Sequence, residues 1–262
     1  MNKFWPIIFQ DMSLIRFIKY GFILILSFKA SALTILLDPG HGGKELGAVA
    51  KDEKNQNIYE KELTLKLAKL IQKKLSPTHS VFLTRSIDRT VDLAERAAIA
   101  DKVNADLFIS IHFNSSEINK YHGFETYYLD NHDDAEVKKL ENLENNIFAT
   151  SDEIINKILI DLVVNKTVTQ SKKLSDKIHR RIAQYVRKPY HMKDRGIKAG
   201  LFHVLALSKR PGVLLEVGFL SNKNEAQKIS TQQFLDTYAN SVANGVNDFT
   251  AHNNSIASIP LL

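Results

Sequence analysis

Four side chains in this sequence are of types that do metal or hydrolytic chemistry, and three of them fall where an α/β chain places its sites, at strand-to-loop transitions. His41 sits in Leu37-Asp38-Pro39-Gly40-His41-Gly42-Gly43. The flanking glycines free the backbone to turn and let a metal or substrate come close, although the same residues would also make an ordinary turn with an incidental imidazole. Glu60, in Tyr59-Glu60-Lys61-Glu62, opens a Leu-striped stretch, where an acid in the first helical turn also complements the helix dipole. His112 closes the apolar run from Leu107 to Ile111 and leads into Phe113-Asn114-Ser115-Ser116; a satisfied, buried histidine is its plainer reading. Two imidazoles and one carboxylate suffice to hold a catalytic zinc with an open fourth position. Their separations of 19 and 52 residues put them on different elements, so they form no local zinc motif. Glu216 lies inside the apolar run from Pro211 to Phe219. A carboxylate there must find a partner or stay protonated, which makes it either a structural ion pair or a working acid.

The elements that must position these groups read as an alternation of strands and helices. Six β-branched or aromatic runs predict strands at Leu33 to Asp38, Val81 to Arg85, Leu107 to His112, Gly123 to Leu129, Leu201 to Leu207 and Val213 to Val217. The near-continuous apolar runs among them suit strands buried on both faces of a central sheet. Leu63, Leu67, Leu70, Ile71 and Leu75 recur at helical spacing, as do Leu174, Ile178, Ile182, Tyr185 and Val186, and Phe234, Tyr238, Val242, Val246 and Phe249; these stripes predict helices covering the sheet. Residues 130–170 carry two more helix-like stretches, longer than an ordinary connection.

Composition bounds the rest. The chain has 262 residues, 44% hydrophobic and 24% charged, with no cysteine. Disulfide frameworks, thiolate zinc ribbons, iron–sulfur clusters and cysteine nucleophiles are thereby excluded, and low-complexity or fully disordered classes are excluded by the balance of residues. The formal charge is +6, but Lys3, Arg16, Lys19 and Lys29 against Asp11 place half of the excess in the first 32 residues, so no nucleic-acid partner is expected. From Met12, two positive charges, the apolar stretch Gly21 to Phe28 and Ala30-Ser31-Ala32 have the order of a secretory signal cut after Ala32. The apolar stretch is shorter than the roughly 20 residues of a membrane span. An uncleaved anchor that also uses Trp5 to Phe9 is the alternative, and Met12 is a candidate start.

LLDPGHGG with His41, YEKELTL with Glu60, SIHFNSS with His112 and LLEVGFLSN with Glu216 resemble, in order and approximate separation, the four motifs of the zinc-dependent N-acetylmuramoyl-L-alanine amidases of type 3. The segments Leu83 to Arg85, Leu93 to Ala100 and Asp194 to Leu205 fit the same pattern, and the likeness covers nearly all of residues 33–249. The resemblance implies an α/β fold, a single domain over 33–250 with a central, mostly parallel six-stranded sheet flanked by helices, followed by a flexible tail over 251–262. It implies one zinc ion bound by His41, Glu60 and His112, with Glu216 as the catalytic carboxylate, first general base toward water and then general acid toward the leaving amine. The substrate implied is peptidoglycan, cut between the lactyl group of N-acetylmuramic acid and L-alanine. Arg195 and Asn114 are candidates for substrate contact. An exported protein in the periplasm or wall is expected, meeting the membrane only through its signal.

Longer members of the family, from Gram-negative division systems, carry a helix at the place of residues 130–170 that covers the site until an activator protein displaces it. Glu141 and Glu144 lie three apart here and share a helix face, which makes them candidate regulatory carboxylates. Two competing readings remain: a zinc carboxypeptidase, which needs Arg195 or Arg85 for the peptide's free carboxylate, and a wall-binding module, which predicts loss of a motif residue.

Overall fold

The computed structural model describes residues 32–118, 120–145 and 153–252, the side chains of 153–159 and 252 excepted. The leader up to residue 31, the tail from 253 and the side chains of Ile154, Ile155, Ile158 and Leu159, which begin the apolar stripe of the second helix-like stretch in 130–170, lie outside these residues. In chain order the elements are β1 (Thr34–Pro39), β2 (Val49–Lys51), β3 (Asn57–Tyr59), α1 (Glu60–Leu75), β4 (Ser80–Leu83), α2 (Leu93–Lys102), β5 (Leu107–Asn114) and β6 (Phe124–Leu129). They continue with α3 (Ala135–Asn145), α4 (Glu153–Tyr185), β7 (Asp194–Gly200), α5 (His203–Ser208), β8 (Gly212–Phe219), α6 (Lys223–Ile229) and α7 (Gln232–His252).

Six strands form one sheet in the order β4-β1-β5-β8-β6-β7. β4, β1, β5 and β8 run parallel, while β6 is antiparallel to β8 and carries β7 parallel to itself. β5 and β8 are buried along all eight of their residues, as the centre of a sheet covered on both faces requires. One covering layer is built on Leu63, Leu67 and Ile71 of α1, Leu174, Ile178 and Ile182 of α4, and Phe234, Tyr238, Val242 and Val246 of α7. The predicted stripes are therefore core, each large apolar side chain contributing about 1.5–3 kcal/mol by burial. The opposite face packs Leu36, Phe108 and Leu214 against Val137 and Leu140 of α3, Val163 and Val164 of α4, and Phe202 and Leu205.

Two expectations are corrected. The run Leu201 to Leu207 is not a strand: His203–Ser208 is the helix α5, and the sixth strand is the preceding Asp194–Gly200. A short apolar run cannot by its periodicity be told from a buried helical turn. The true strand is a sheet edge of intermediate exposure, so its sequence reads polar. The second stretch of the 130–170 segment is not separate from the Leu174 helix either. It is the first half of α4, which continues unbroken for 33 residues, one half adding to each face of the sheet. The hairpin β2–β3, unforeseen in the sequence, feeds directly into α1, so that Glu60 becomes the first helical residue.

Candidate metal centre and cleft

The chain leaves β1 at Pro39 and turns at Gly40 and His41. His41 sits in the left-handed region at φ 58°, a conformation that disfavours most side chains. Two buried arginines hold this turn. Arg85 donates to the carbonyls of Pro39 at 3.1 Å and Gly40 at 2.8 Å. Arg96 donates to those of Pro39 and His41, both at 3.1 Å, and pairs with the carboxylate of Asp38. Thr84 at 2.7 Å and Ser110 at 2.9 Å also donate to Asp38. Burial alone would raise the Asp38 pKa, but Arg96 and then Thr84 outweigh it and hold the carboxyl below its ordinary range.

Glu60 reaches the same point from the start of α1. Its Oε2 accepts the N–H of Ala48 at 2.7 Å and its Oε1 that of Phe113 at 2.9 Å. Oε1 also lies 3.0 Å from His41 Nε2 and 3.4 Å from His112 Nδ1. Burial opposes its ionisation, yet His41 and His112 together hold its pKa far below the usual carboxylate range. The imidazoles meet edge to face, centroids 5.1 Å apart. This approach depends on Gly40, where a Cβ would fall 2.4 Å from the His112 ring. From above, α3 brings Glu144, whose Oε2 is 3.1 Å from His112 Nδ1. Burial disfavours charge on His112, but Glu144 and Glu60 reverse that and keep its pKa well above the imidazole norm.

Donor atoms of His41, His112 and Glu144 lie within 4.8 Å of one another, and Glu60 Oε1 touches both imidazoles. Among the described residues, His41 Nε2 and His112 Nδ1 are buried without a hydrogen-bond partner. Converging, unpartnered imidazole nitrogens beside carboxylate oxygens fit a single divalent ion that accepts mixed N and O ligands. The sequence expectation of His41, Glu60 and His112 as the ligand set is thus brought together in space, with Glu144 added to it.

Glu216 is in register with His112 across β5 and β8, so the two side chains emerge side by side on one face of the sheet. It is fully buried, and neither carboxylate oxygen has a hydrogen-bond partner among the described residues. Burial raises its pKa well above normal; His112 opposes this, while Glu144, Glu60 and Glu125 add to it. A carboxyl poised to hold a proton next to the His112 imidazole has the character of an acid–base group.

The other expected residues are placed differently. Glu141, one turn before Glu144, faces away from the cluster: its Oε1 contacts His132 Nε2 at 2.6 Å and accepts the N–H of Leu201, pinning α3 to the body. Arg195 and Asn114 line a groove of about 480 Å³ under α3, bounded also by Tyr121, Glu125, Lys198 and Phe219. Arg85, a candidate peptide-carboxylate receptor, is 1% exposed and already committed to backbone carbonyls, which removes it from that role. Arg96 as the holder of the His41 turn was missed; the signal available was Asp38, a carboxylate inside an apolar strand that demands a buried cation.

Comparison with known proteins gives a consistent picture. The family Amidase_3, N-acetylmuramoyl-L-alanine amidase, matches residues 35–248. N-acetylmuramoyl-L-alanine amidase LytC of Bacillus subtilis is 30% identical over 81% of this chain and 34% of LytC. AmiA of Escherichia coli, of the same named activity, is 32% identical over 81% of this chain and 74% of AmiA. The crystal structure of an N-acetylmuramoyl-L-alanine amidase from Clostridium difficile 630 superposes with a TM-score of 0.65 at 30% identity, covering 85% of this chain and 99% of that one. The chain thus spans about a third of LytC and about three quarters of AmiA.

Proposed function

Because this chain belongs to the N-acetylmuramoyl-L-alanine amidase family, we propose that it hydrolyses the amide between the lactyl group of N-acetylmuramic acid and L-alanine in peptidoglycan. The observation that carries the reading is the buried, unpartnered Glu216 carboxylate in register with His112. His41, Glu60 and His112 would hold one zinc ion, with the position reached by Glu144 given over to substrate and water. Zinc there supplies a Lewis acid that polarises the scissile carbonyl and eases deprotonation of water near neutral pH. Glu216 takes the proton of the attacking water as its oxygen bonds to the carbonyl carbon. It then returns that proton to the amide nitrogen as the C–N bond breaks, leaving a free amine and a lactyl carboxylic acid that gives up its remaining proton to solvent. The peptidase alternative loses Arg85 to burial and keeps Arg195 as its one candidate for the peptide's free carboxylate, while the binding-module alternative is weakened by the presence of every motif residue.

The same contacts support autoinhibition. Glu144 occupies the mouth of the cluster and Asn145 ties the end of α3 to Leu201 and His203 at 3.0 and 2.8 Å, so α3 must move before substrate enters. An activator protein engaging the 130–170 segment would perform that displacement. Export through the leader, with residues 33–250 as the catalytic domain, follows from a substrate outside the cytoplasmic membrane. The direct test is mass spectrometry of peptidoglycan digested with zinc, with chelator and with Glu216→Gln. Intact stem peptides released only in the first supports the reading; release unaffected by chelator, or none even from a Glu144→Ala chain loaded with zinc, refutes it.

A further inference from the structure

α3 delivers two carboxylates to the cleft, and only one of them goes to the metal cluster. The other is Glu136, whose Oε2 lies 3.3 Å from the guanidinium of Arg195. Arg195 is held as a receptor rather than as a loose surface charge. Its guanidinium stacks 5.2 Å from the Tyr121 ring and 5.4 Å from that of Phe219, and its Nε pairs with the buried Glu125. Lys198 Nζ lies 3.4 Å from the same Glu125 oxygen. Arg195 and Lys198 therefore share one buried carboxylate, and Glu136 is the second carboxylate that pairs with Arg195. When α3 leaves, Glu136 leaves with it, and the guanidinium keeps, among the described residues, only the Glu125 carboxylate that it shares with Lys198, beside two aromatic faces.

The spacing gives the vacated position a meaning. Glu136 and Glu144 are eight residues apart on one helix, which at the α-helical rise is about 12 Å. An extended peptide covers that distance in about three or four residues. The geometry points to a carboxylate-recognition subsite at Arg195, Tyr121, Phe219 and Lys198, which takes a free carboxylate carried about three or four residues beyond the scissile amide and which Glu136 fills in the closed state. The inference deepens the amidase reading and rests on it for the direction in which the peptide lies. In this view α3 imitates substrate at two points, Glu144 at the reacting centre and Glu136 at the peptide's anionic end.

The test uses the full chain and two synthetic muramoyl tetrapeptides that differ only in a terminal carboxylate or carboxamide. Calorimetric binding is measured to wild type, Glu136→Ala and Arg195→Gln, with circular dichroism verifying that each variant is folded, and kcat/KM is measured alongside. The carboxylate peptide should bind Glu136→Ala about 5- to 20-fold more tightly than wild type, as expected when a competing charged contact is removed. The carboxamide should gain much less, and Arg195→Gln should lose the discrimination in both binding and KM. Equal binding of the two peptides by Glu136→Ala, or discrimination that survives Arg195→Gln, overturns the subsite. Discriminating binding without hydrolysis even by a zinc-loaded Glu144→Ala chain, in which the blocking carboxylate is gone, would uphold the subsite and overturn the amidase reading instead.

Discussion

Replacing Arg96 by Met isolates the support beneath the metal cluster. Arg96 is 4% exposed and Asp38 1%, so the substitution strands a carboxylate that has no route to solvent. Breaking a buried pair by removing one partner destabilises by about 3–5 kcal/mol, and the lost donors to Val91, Pro39 and His41 act in the same direction. Thr84 and Ser110 still donate to Asp38, which places the expected loss toward the lower end. Urea unfolding followed by circular dichroism at pH 7, with chelator present so that metal binding makes no contribution, gives the number. Adding Asp38→Asn to the variant should recover part of the loss, with a coupling of about 2 kcal/mol in the double-mutant cycle. The pH dependence has a fixed sign. A carboxyl held below its ordinary pKa stabilises the fold fully above the unfolded value, about 4, and that contribution fades as pH falls through the folded pKa. The gap between wild type and variant should therefore be widest near neutrality and close in acid. A loss under about 1 kcal/mol, or an additive cycle, would refute the claim that this pair holds the turn.

Three further outcomes follow from the same geometry. Gly47→Ala forces a Cβ to within 2.4 Å of Glu60 Oε2 and 2.7 Å of His41 Cδ2 at a φ of +65°; it should weaken zinc affinity measured by competition with a chelating dye and lower stability by about 1–3 kcal/mol. Glu216→Gln should lower turnover at least about 100-fold yet raise the stability of the metal-free chain, because an unpartnered carboxylate is replaced by a neutral amide. Since its folded pKa is raised, that advantage should be absent below pH ~4 and grow as pH rises above it; urea midpoints at several pH values will show whether it does. Glu144→Ala removes a charged contact of the kind that contributes about 1.5–3 kcal/mol, so hydrolysis by the full chain should rise about 10-fold or more, read as stem-peptide release.

His41, His112 and Glu216 stood out in the sequence because each interrupts an apolar or glycine-rich pattern with a group that such a pattern tolerates only for a reason, whereas Glu60, among Tyr59, Lys61 and Glu62, stood out only through the family resemblance. The central strands were legible because burial on both faces leaves an almost unbroken apolar run. Edge strands have no such signature: β7 contains Arg195 and Lys198 and reads as polar, and the apolar run after it was mistaken for the strand. Glu141 and Glu144 could not be told apart from sequence because both sit on one helix face. Only the crossing of α3 over the sheet decides that one reaches His112 while the other anchors to His132 and Leu201. Arg96 was hidden for a similar reason, since an arginine on an amphipathic helix looks like solvent-facing charge until the helix is docked.

The placement of α3 separates two scales of opening. The groups of the cluster hang on β1, β5, β8 and the buried first turn of α1, so exposing their backbone amides requires the central sheet to come apart, at close to the full free energy of unfolding. α3 joins the body mainly through Val137, Leu140, Glu141 and a few polar contacts at its ends, and none of the sheet's strand pairings runs through it. Its amides should exchange with deuterium by local detachment while those of β5 and β8 remain protected. On the proposed autoinhibition, a helix that lifts without loosening the sheet beneath it would leave the bracket already assembled at the moment of release.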